Sequence, residues 1–469
     1  MNGLHDRQGR LSRRAFLALA GSVAGAATLA ACAAPMAAPG GAPAASAGEP
    51  EVRFMHPLDP VMMDPAQQLF DKFEAEHKIK IKHEPLPAED FAQKIVAAMA
   101  AGTAPDVFWA WGPHMRLLIE KDGTLNLDSF IEKDFTPEII DDFVASQWKM
   151  LQWNNNQHGL PQYCGIWAWY YNKRIFDEAG VDHPNKETDA TTFLDAANKL
   201  TKRQADGKPD QLGVDIFFAL EFPISSHTWS WGGEVHDPEN NRVCRLDEPV
   251  AMEAMQWLSD LRWKDKGAAT PAEENAMRTI GWGLFATDKV ATKCDGSWAL
   301  QVWLESVGDK FDWGVFPQYK GPSENGKHET FHTTDTWMIN KGTKVPDASW
   351  EWLKYATDAD WQRMQMQTRL ILDLEDSVAP ARKSLAPEWA GIVKEKLTAV
   401  NPRLEDVDLQ IFIDGFDYAR PMVQFAEHTA AMEILTPVFD QIYTTGEGTV
   451  ADLIPPAVAK VNELLSKPS

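Results

Sequence analysis

Strand-like and helix-like segments alternate strictly from residue 51 to residue 111, and this alternation constrains the fold more than any other feature of the chain. Residues 51–56, 78–84 and 106–111 are short apolar or alternating runs, as strands are. Between them, two runs that start near Asp64 and Phe91 carry apolar residues at helical spacing. An order of β-α-β-α-β is typical of a parallel sheet with helices on its faces, so we predict an α/β fold.

The rest of the chain continues this mixed pattern. Strands are predicted at 167–171 and 213–220, and helices at 172–179, 249–263 and 450–465. The body that begins at residue 51 is longer than the size at which a single hydrophobic core usually stops growing. We therefore predict two domains.

The first 32 residues are predicted to be an export signal and not part of the fold. Four arginines precede an uncharged run over 15–31, and the pair Arg13 and Arg14 matches the twin-arginine export pattern. Cys32 ends this run in a sequence similar to a bacterial lipobox, so we predict that Cys32 is lipidated. An ordinary signal peptide in which Cys32 is incidental is the alternative. Residues 33–50 are almost entirely Ala, Pro, Gly and Ser, the composition of a flexible tether.

The chain is strongly acidic. Its formal net charge is −23, and removal of residues 1–32 takes away four arginines and one aspartate, which leaves −26. Such a charge argues against nucleic acid as a partner and against electrostatic docking on anionic lipid. No later stretch of the sequence is long and apolar enough to span a membrane, so the predicted membrane contact is through the lipid anchor only.

The motifs of most enzymes and metal sites are missing from the sequence. Cys164, Cys244 and Cys294 lie far apart, with no CxxC and no histidine at zinc spacing, so we expect no metal. One disulfide with a free thiol and three buried thiols both remain open. No HExxH, P-loop or GxSxG motif occurs, and the GxGxxA match at 446–451 follows a helical run. We predict a turn there, and neither a cofactor nor a catalytic residue.

Tryptophan is unusually frequent, with 19 Trp against 7 Tyr, and many of these residues stand in loops or at strand ends. Ligands of open α/β sheets bind beyond the carboxyl ends of the strands, where an indole can cover the C–H face of a sugar ring. We expect part of this set to contact ligand and the rest to pack in the core. The set is Trp109, Trp111, Trp167, Trp169, Trp229, Trp231, Trp298 and Trp337.

Four stretches, in the same order along the chain, carry a resemblance to a known family. They are residues 104–109 with 123–127, 159–161 with 169–180, 285–298, and 337–351. Behind a lipoprotein signal, they make the chain similar to the extracellular solute-binding proteins of bacterial carbohydrate ABC importers. This family 1 group includes the maltodextrin-binding proteins, and the similarity extends over nearly the whole body.

The resemblance implies a two-lobed fold of the periplasmic-binding-protein type II, in which a hinge of crossing segments joins the lobes and ligand lies in the cleft between them. The implied segments are the signal 1–32, the tether 33–50, the first lobe 51–164 and 332–380, and the second lobe 165–331 and 381–469. The chain would cross between the lobes near 162–167, 331–336 and 378–383.

The same resemblance implies a ligand site built from loops and crossing segments. Trp298 is the strongest candidate, because it matches the family's stacking aromatic after an Asp-Gly-Ser strand. The predicted ligand-binding residues are His56, Asp59, Trp109, Trp111, Gly112, Trp167, Phe222, Trp229, Trp231, Ser297, Trp298, Thr333, Thr334 and Asp335. Maltodextrin binders carry a carboxylate where Trp111 and Gly112 stand here, so maltodextrin itself is not the expected ligand.

The implied function is capture of a sugar or oligosaccharide outside the cell and its delivery to the permease subunits of an ABC importer. The implied protein is a monomer, is not an enzyme, and is held by its lipid on the outer face of the cytoplasmic membrane. One alternative keeps the fold and binds glycerol phosphate, a polyamine or a peptide. For a phosphate, only Arg116 and Arg382 stand near the predicted loops. An exported cofactor enzyme and a glycoside hydrolase are alternatives of another class.

Overall fold

The computed structural model describes residues 48–467 with short gaps. The gaps are residues 57–62, 86–90, 217, 219, 221, 278–283 and 372–378. Glu49–Ser469 forms one compact unit, separate from Met1–Gly48, and the description below concerns this unit. Two predicted sites, Cys32 and Asp59, lie outside the described residues.

The strands of this unit include the three that the opening pattern predicts. In chain order the strands are β1 (Glu51–Met55), β2 (Lys80–Glu84), β3 (Val107–Trp111), β4 (Gln152–Trp153), β5 (Asn156–Gln157), β6 (Leu160–Asn172), β7 (Lys202–Arg203), β8 (Pro209–Asp215), β9 (His236–Asp237), β10 (Asn240–Cys244), β11 (Val290–Gly296), β12 (Trp313–Phe316), β13 (Phe331–Ile339), β14 (Ala379–Pro380) and β15 (Arg420–Pro421). Because β1 pairs in parallel with both β2 and β3, the predicted β-α-β-α-β unit is confirmed.

Helices fill the intervals between the strands and dominate the end of the chain. They are α1 (Met63–His77), α2 (Phe91–Ala100), α3 (Gly112–Glu120), α4 (Asp128–Asp134), α5 (Pro137–Asp142), α6 (Ala145–Met150), α7 (Lys173–Ala179), α8 (Ala190–Leu200), α9 (Ile224–Ser230), α10 (Pro249–Trp263), α11 (Pro271–Met277), α12 (Ala299–Ser306), α13 (Pro346–Tyr355), α14 (Ala359–Ile371), α15 (Ala386–Val400), α16 (Gln410–Tyr418), α17 (His428–Phe439) and α18 (Val450–Leu465). Within the described part of the chain, no helix combines the length and the apolar character needed to cross a membrane.

Local signals explain several helix ends. The side chain of Asn172 accepts a hydrogen bond from the backbone N–H of Ile175 at 3.3 Å and caps α7. Gly180 ends this helix in the left-handed conformation, which glycine adopts without steric cost. The predicted turn at 446–451 is confirmed, since Gly446 is left-handed and Thr449 caps α18.

Two strand predictions need correction. The strand predicted at 167–171 is only the second half of β6, which begins at Leu160. The strand predicted at 213–220 is wrong in its bounds, because β8 covers Pro209–Asp215. Its pairing with β11 ends at the Asp215–Lys293 pair, and the apolar residues that follow have no strand partner in the described part.

One sheet runs through the whole unit. Strand β6 lies near its centre and takes part in both halves. Among the described residues the strand order is β2-β1-β3-β13-β6-β11-β8-β7, with β12 and β14 also paired to β6 and β15 paired to β13. Residues 160–166 of β6 pair with β13, whereas residues 167–172 pair with β11 and β12. We call β2, β1, β3, β13 and residues 160–166 the first half-sheet. Residues 167–172, β11, β12, β8 and β7 form the second half-sheet. The domain boundaries given above stay a prediction.

Tryptophan supplies much of the core. The largest fully buried side chains include Trp169, Trp231, Trp303, Trp313, Trp337, Trp350, Trp352, Trp361 and Trp389. From the set that the sequence singles out, Trp169, Trp231 and Trp337 are therefore fully buried in the structure. Cys164, Cys244 and Cys294 form no disulfide and are buried. Of the two alternatives left open by the sequence, the structure therefore has three buried thiols. Burial raises the pKa of the Cys164 thiol well above its ordinary value.

Candidate functional site

Strand register collects several candidate residues on one face of the first half-sheet. Asp335 of β13 pairs with Trp111 of β3 on one side and with Tyr163 of β6 on the other. Thr333 pairs with Gly165 in the next row. Because directly paired residues point to the same face of a sheet, these side chains form a continuous polar and aromatic surface. We call this surface the polar row.

The polar row continues into an aromatic group where β6 passes to the second half-sheet. Trp167 pairs with Gly296 of β11, and its half-buried ring packs almost parallel to two phenyl rings. The ring centroid lies 4.5 Å from that of Phe222 and 5.0 Å from that of Phe331. We call Trp167, Phe222, Phe331 and Trp298 the aromatic group.

Trp298 completes the aromatic group from the start of α12. Its half-buried ring meets that of Trp167 at 5.2 Å between centroids and 82° between planes, an edge-to-face contact. Ser297 is fully buried, and its backbone N–H donates to the carbonyl of Ile166 at 2.8 Å. This bond ties the loop after β11 to the point where β6 changes partners.

Trp109 lies close to the polar row but is buried. Its side chain is only 6% exposed, and its Nε1 donates to Oδ2 of Asp335 at 2.6 Å. His56 is also buried and packs on Trp337 at 4.6 Å between ring centroids. Trp111, two residues further along the strand, is 37% exposed and meets His114 edge-on. The structure therefore exposes Trp111 and buries Trp109 in contact with Asp335.

Thr334 points away from the other predicted residues of the second crossing. It pairs with Cys164, so its side chain lies on the opposite face of the sheet from Thr333 and Asp335. Its fully buried hydroxyl is 3.1 Å from Nε2 of Gln147 and 3.1 Å from Nδ1 of His332.

Two predicted tryptophans of the second lobe pack in the core, apart from the aromatic group. Trp231 is fully buried and contacts His227 and Trp257 at 5.7 and 5.4 Å between ring centroids. Trp229 is buried under the guanidinium of Arg420, which lies 4.4 Å above its ring. A ligand role for either residue stays a prediction.

Gly112 and Tyr163 show what register adds to sequence patterns. Gly112 begins α3 with a φ of 49°, and a Cβ there would lie 3.6 Å from Met422, so the position both favours glycine and joins distant segments. Tyr163 was missed by the sequence analysis, although it alternates with Gly165 and Trp167 at the period-two spacing of one strand face. That spacing is the signal that could have identified it.

The arginines that a phosphate ligand would require are already engaged. Arg116 is buried, with its Nε 2.9 Å from Oε1 of Glu120 and its guanidinium 3.1 Å above the ring of Trp153. Arg382 bonds Asp142 at 3.3 Å and covers the ring of Phe143 at 4.3 Å. Each cation is thus neutralised by a carboxylate and stacked on an aromatic ring. Within the described residues, no group of three or more His, Cys, Asp or Glu side chains could hold a metal ion.

Comparisons with known proteins agree with this geometry. Residues 59–363 match the model of the bacterial extracellular solute-binding protein family. A putative binding protein of Brucella abortus is 22% identical over 401 residues, which cover 84% of this chain and 88% of that protein. The diacetylchitobiose-binding protein of Streptomyces coelicolor is 23% identical over 376 residues, covering 73% of this chain and 83% of that protein.

A solved structure shows the same fold. An ABC substrate-binding protein of Listeria monocytogenes, solved in complex with cycloalternan, matches with a TM-score of 0.71 at 17% sequence identity. The match covers 90% of this chain and 100% of that chain. The predicted two-lobed, periplasmic-binding-protein-like fold is thereby confirmed. The family model matches well over half of the length of this chain, so the chain belongs to the bacterial extracellular solute-binding proteins.

Proposed function

We propose that this protein captures a neutral oligosaccharide outside the cell and delivers it to the permease of an ABC importer. The observation that carries the proposal is the aromatic group beside the polar row. Two half-buried indoles, Trp167 and Trp298, lie nearly perpendicular to each other, with Thr333 beside Trp298 at Gly165 and Asp335 two residues further along β13. Aromatic faces suit the C–H faces of sugar rings, and nearby hydroxyl and carboxylate oxygens suit their hydroxyl groups.

The charges of the site favour a neutral ligand over the charged alternatives. A phosphate would need free cations, but Arg116 and Arg382 each bond a carboxylate. A polyamine would need several carboxylates, whereas the paired positions of the polar row carry only Asp335, which already accepts from Trp109. The names of two similar proteins point the same way, since one binds diacetylchitobiose and another was solved with cycloalternan.

Binding and transport require no chemical step. An open form would bind the sugar on one lobe and then close, because some contacts exist only in the closed form. The permease would recognise that closed form. The acylated Cys32 and the tether 33–50 would hold a monomer at the outer face of the cytoplasmic membrane while the compact unit reaches the permease.

The test uses the compact unit from residue 49 to the end of the chain. Its tryptophan fluorescence and melting temperature are measured against neutral mono- and oligosaccharides, glycerol phosphate, spermidine and short peptides. We expect a saturable spectral change and a higher melting temperature with an oligosaccharide, since a ligand of the folded state stabilises it. The sugar should be recovered intact.

Two matched variants locate the response. Trp298→Ala should weaken binding at least about tenfold, which is about 1.4 kcal/mol. Trp263→Ala removes another half-buried indole, one that donates to the carbonyl of Ile442 outside the site, and should lower only the melting temperature. A shift with phosphate, polyamine or peptide and none with sugars would overturn the ligand assignment. Turnover of the sugar would favour a hydrolase.

A further inference from the structure

The indole of Trp298 lies directly over two glycines of the sheet. Gly165 stands in β6 and Gly296 ends β11, on the same face as Trp167. A Cβ placed on Gly165 would have Oγ1 of Thr333 as its nearest atom, and it would be 2.5 Å from Cζ3 and 2.9 Å from Cε3 of Trp298. No side chain tolerates such separations. The ring can therefore occupy this position only because both residues lack a Cβ.

The ring meets the sheet with its face and not with its edge. A Cβ on Gly296 would have Cζ3, Cη2 and Cε3 of Trp298 as its three nearest atoms, at nearly equal separations. An approach to the edge would bring one ring carbon much closer than its two neighbours. Near-equal separations from three consecutive carbons are therefore the geometry of an atom above a ring face.

We propose that Gly165 and Gly296, the glycine pair, are positioning residues that present Trp298 to the ligand. The inference rests on the proposed function and adds how the stacking surface is set. With one indole face against the backbone of the glycine pair, the opposite face is the one that a sugar ring can cover. Trp167 stands at 82° to this surface, so it borders the stacked sugar along one side.

This arrangement limits what the site accepts. A platform backed by the glycine pair, with a perpendicular ring beside it, favours a sugar that offers a flat C–H face and a compact edge. A side chain at either glycine would displace the indole of Trp298. The angle between the ring planes of Trp167 and Trp298 would then change. The glycine pair thus acts on ligand through Trp298 and touches no ligand itself.

The experiment compares alanine substitutions at three glycines of the same sheet. Gly165→Ala and Gly296→Ala test the glycine pair. Gly314→Ala in β12 is the control, because a Cβ there would be 2.5 Å from Cε1 of the Tyr171 ring of β6, so it causes a similar collision elsewhere. Affinity is measured by fluorescence titration of the compact unit with the oligosaccharide that stabilises the wild type, and stability by the melting temperature.

We expect Gly165→Ala and Gly296→Ala to weaken binding about tenfold or more, the size of a lost stacking contact. Gly314→Ala should lower the melting temperature but change affinity less than about twofold. A double-mutant cycle separates positioning from general damage. Trp298→Phe should weaken binding in the wild type, yet add little loss in the Gly296→Ala background, where the three atoms nearest to the new Cβ all belong to Trp298 and the smaller ring relieves the collision.

Each outcome decides between the two proposals. Wild-type affinity in both glycine variants, or additive losses in the cycle, would overturn the positioning role and leave the proposed function standing. A wild type that binds none of the saccharides would overturn both. If Gly296→Ala does not fold alone, the double variant with Trp298→Phe should fold, because the three atoms nearest to the new Cβ all belong to the larger ring. Failure of that double variant to fold would count against the glycine pair.

Discussion

The two half-sheets bring different chemistry to the same site. In the first half-sheet, polar groups are held by hydrogen bonds before any ligand arrives: Trp109 donates to Asp335, and Thr333 donates to the carbonyl of Gly165. In the second, Trp298 and Phe222 come from loops, and their rings pack against that of Trp167. One side thus offers directed polar groups and the other offers flat apolar area.

This difference teaches how such a site can be both selective and adaptable. Hydrogen-bonded groups lose little freedom on binding, because their orientation is already set. Ring contacts are less directional, so the aromatic group can adjust to the sugar face that it covers. The following predictions test whether the two regions differ in this way.

The largest expected effect concerns stability and is shared by both regions. His332 in β13 and His227 in α9 are fully buried, and burial lowers the pKa of each to about 3. Their unfolded pKa is near 6.5, so the unfolded state binds more protons between these values. Stability is therefore complete above about pH 6.5 and falls as the pH drops, by up to about 1.4 kcal/mol per pH unit for each histidine.

Denaturant unfolding of His227→Gln and His332→Gln between pH 7 and pH 4.5 checks this prediction. Each variant should show a shallower slope of unfolding free energy against pH than the wild type, whatever its absolute stability. Nδ1 of His227 faces the carbonyl of Pro223, so its Nε2 accepts from the hydroxyl of Tyr319 at 2.6 Å. An unchanged slope in one variant would show that its histidine is not buried neutral, and that the two regions differ in this respect.

An intermediate effect is expected from Asp335→Asn in the polar row. The change removes a charge-assisted hydrogen bond to Trp109, and the free energy of unfolding should fall by about 1 kcal/mol. Sugar affinity should fall further, about tenfold, because the directed acceptor is lost. Thr336→Val is the control, since the buried Thr336 of the same strand donates to the carbonyl of Leu160 at 2.9 Å. Equal losses of stability with unchanged affinity in both variants would remove Asp335 from the site.

The smallest effect is expected from Trp111→Ala. Trp111 lies two strands from β6 and four residues along it from Trp167, which is about 16 Å by strand geometry. One sugar ring cannot reach both indoles. Affinity for a disaccharide should stay unchanged, whereas affinity for longer chains should fall about threefold, roughly 0.6 kcal/mol. Titration with saccharides of increasing chain length measures this. An equal loss of affinity at every chain length would contradict the expectation that Trp111 and Trp167 contact different sugar rings.

Local features of the fold were predictable from the sequence, and long-range ones were not. The order of β1, β2 and β3 and the end of α7 at Gly180 follow from periodicity and capping within a few residues. The first half of β6 was missed because Pro161 and Gly165 interrupt any strand pattern, and its partner β13 supplies the stabilising pairs.

The candidate site divides in the same way. Trp167 and Trp298 could be singled out because tryptophan in loops or at strand ends is a visible signal. Trp231 and Trp109 carry the same signal, yet they are buried by side chains far away in the sequence, such as Trp257 and Asp335. Only the packing of distant segments distinguishes a tryptophan that is exposed from one that is buried in the core.

The pairing of β6 with distant strands also determines when parts of the sheet can form during synthesis. Its first half stays without its neighbour until β13 leaves the ribosome, and Trp109 waits for Asp335, which is 226 residues later. At typical rates of synthesis, the segment between Asn172 and Phe331 takes roughly ten to thirty seconds to make. During that interval β3 and β6 present open edges, which are templates for aggregation. We therefore expect these two strand edges to need protection while the chain is being made.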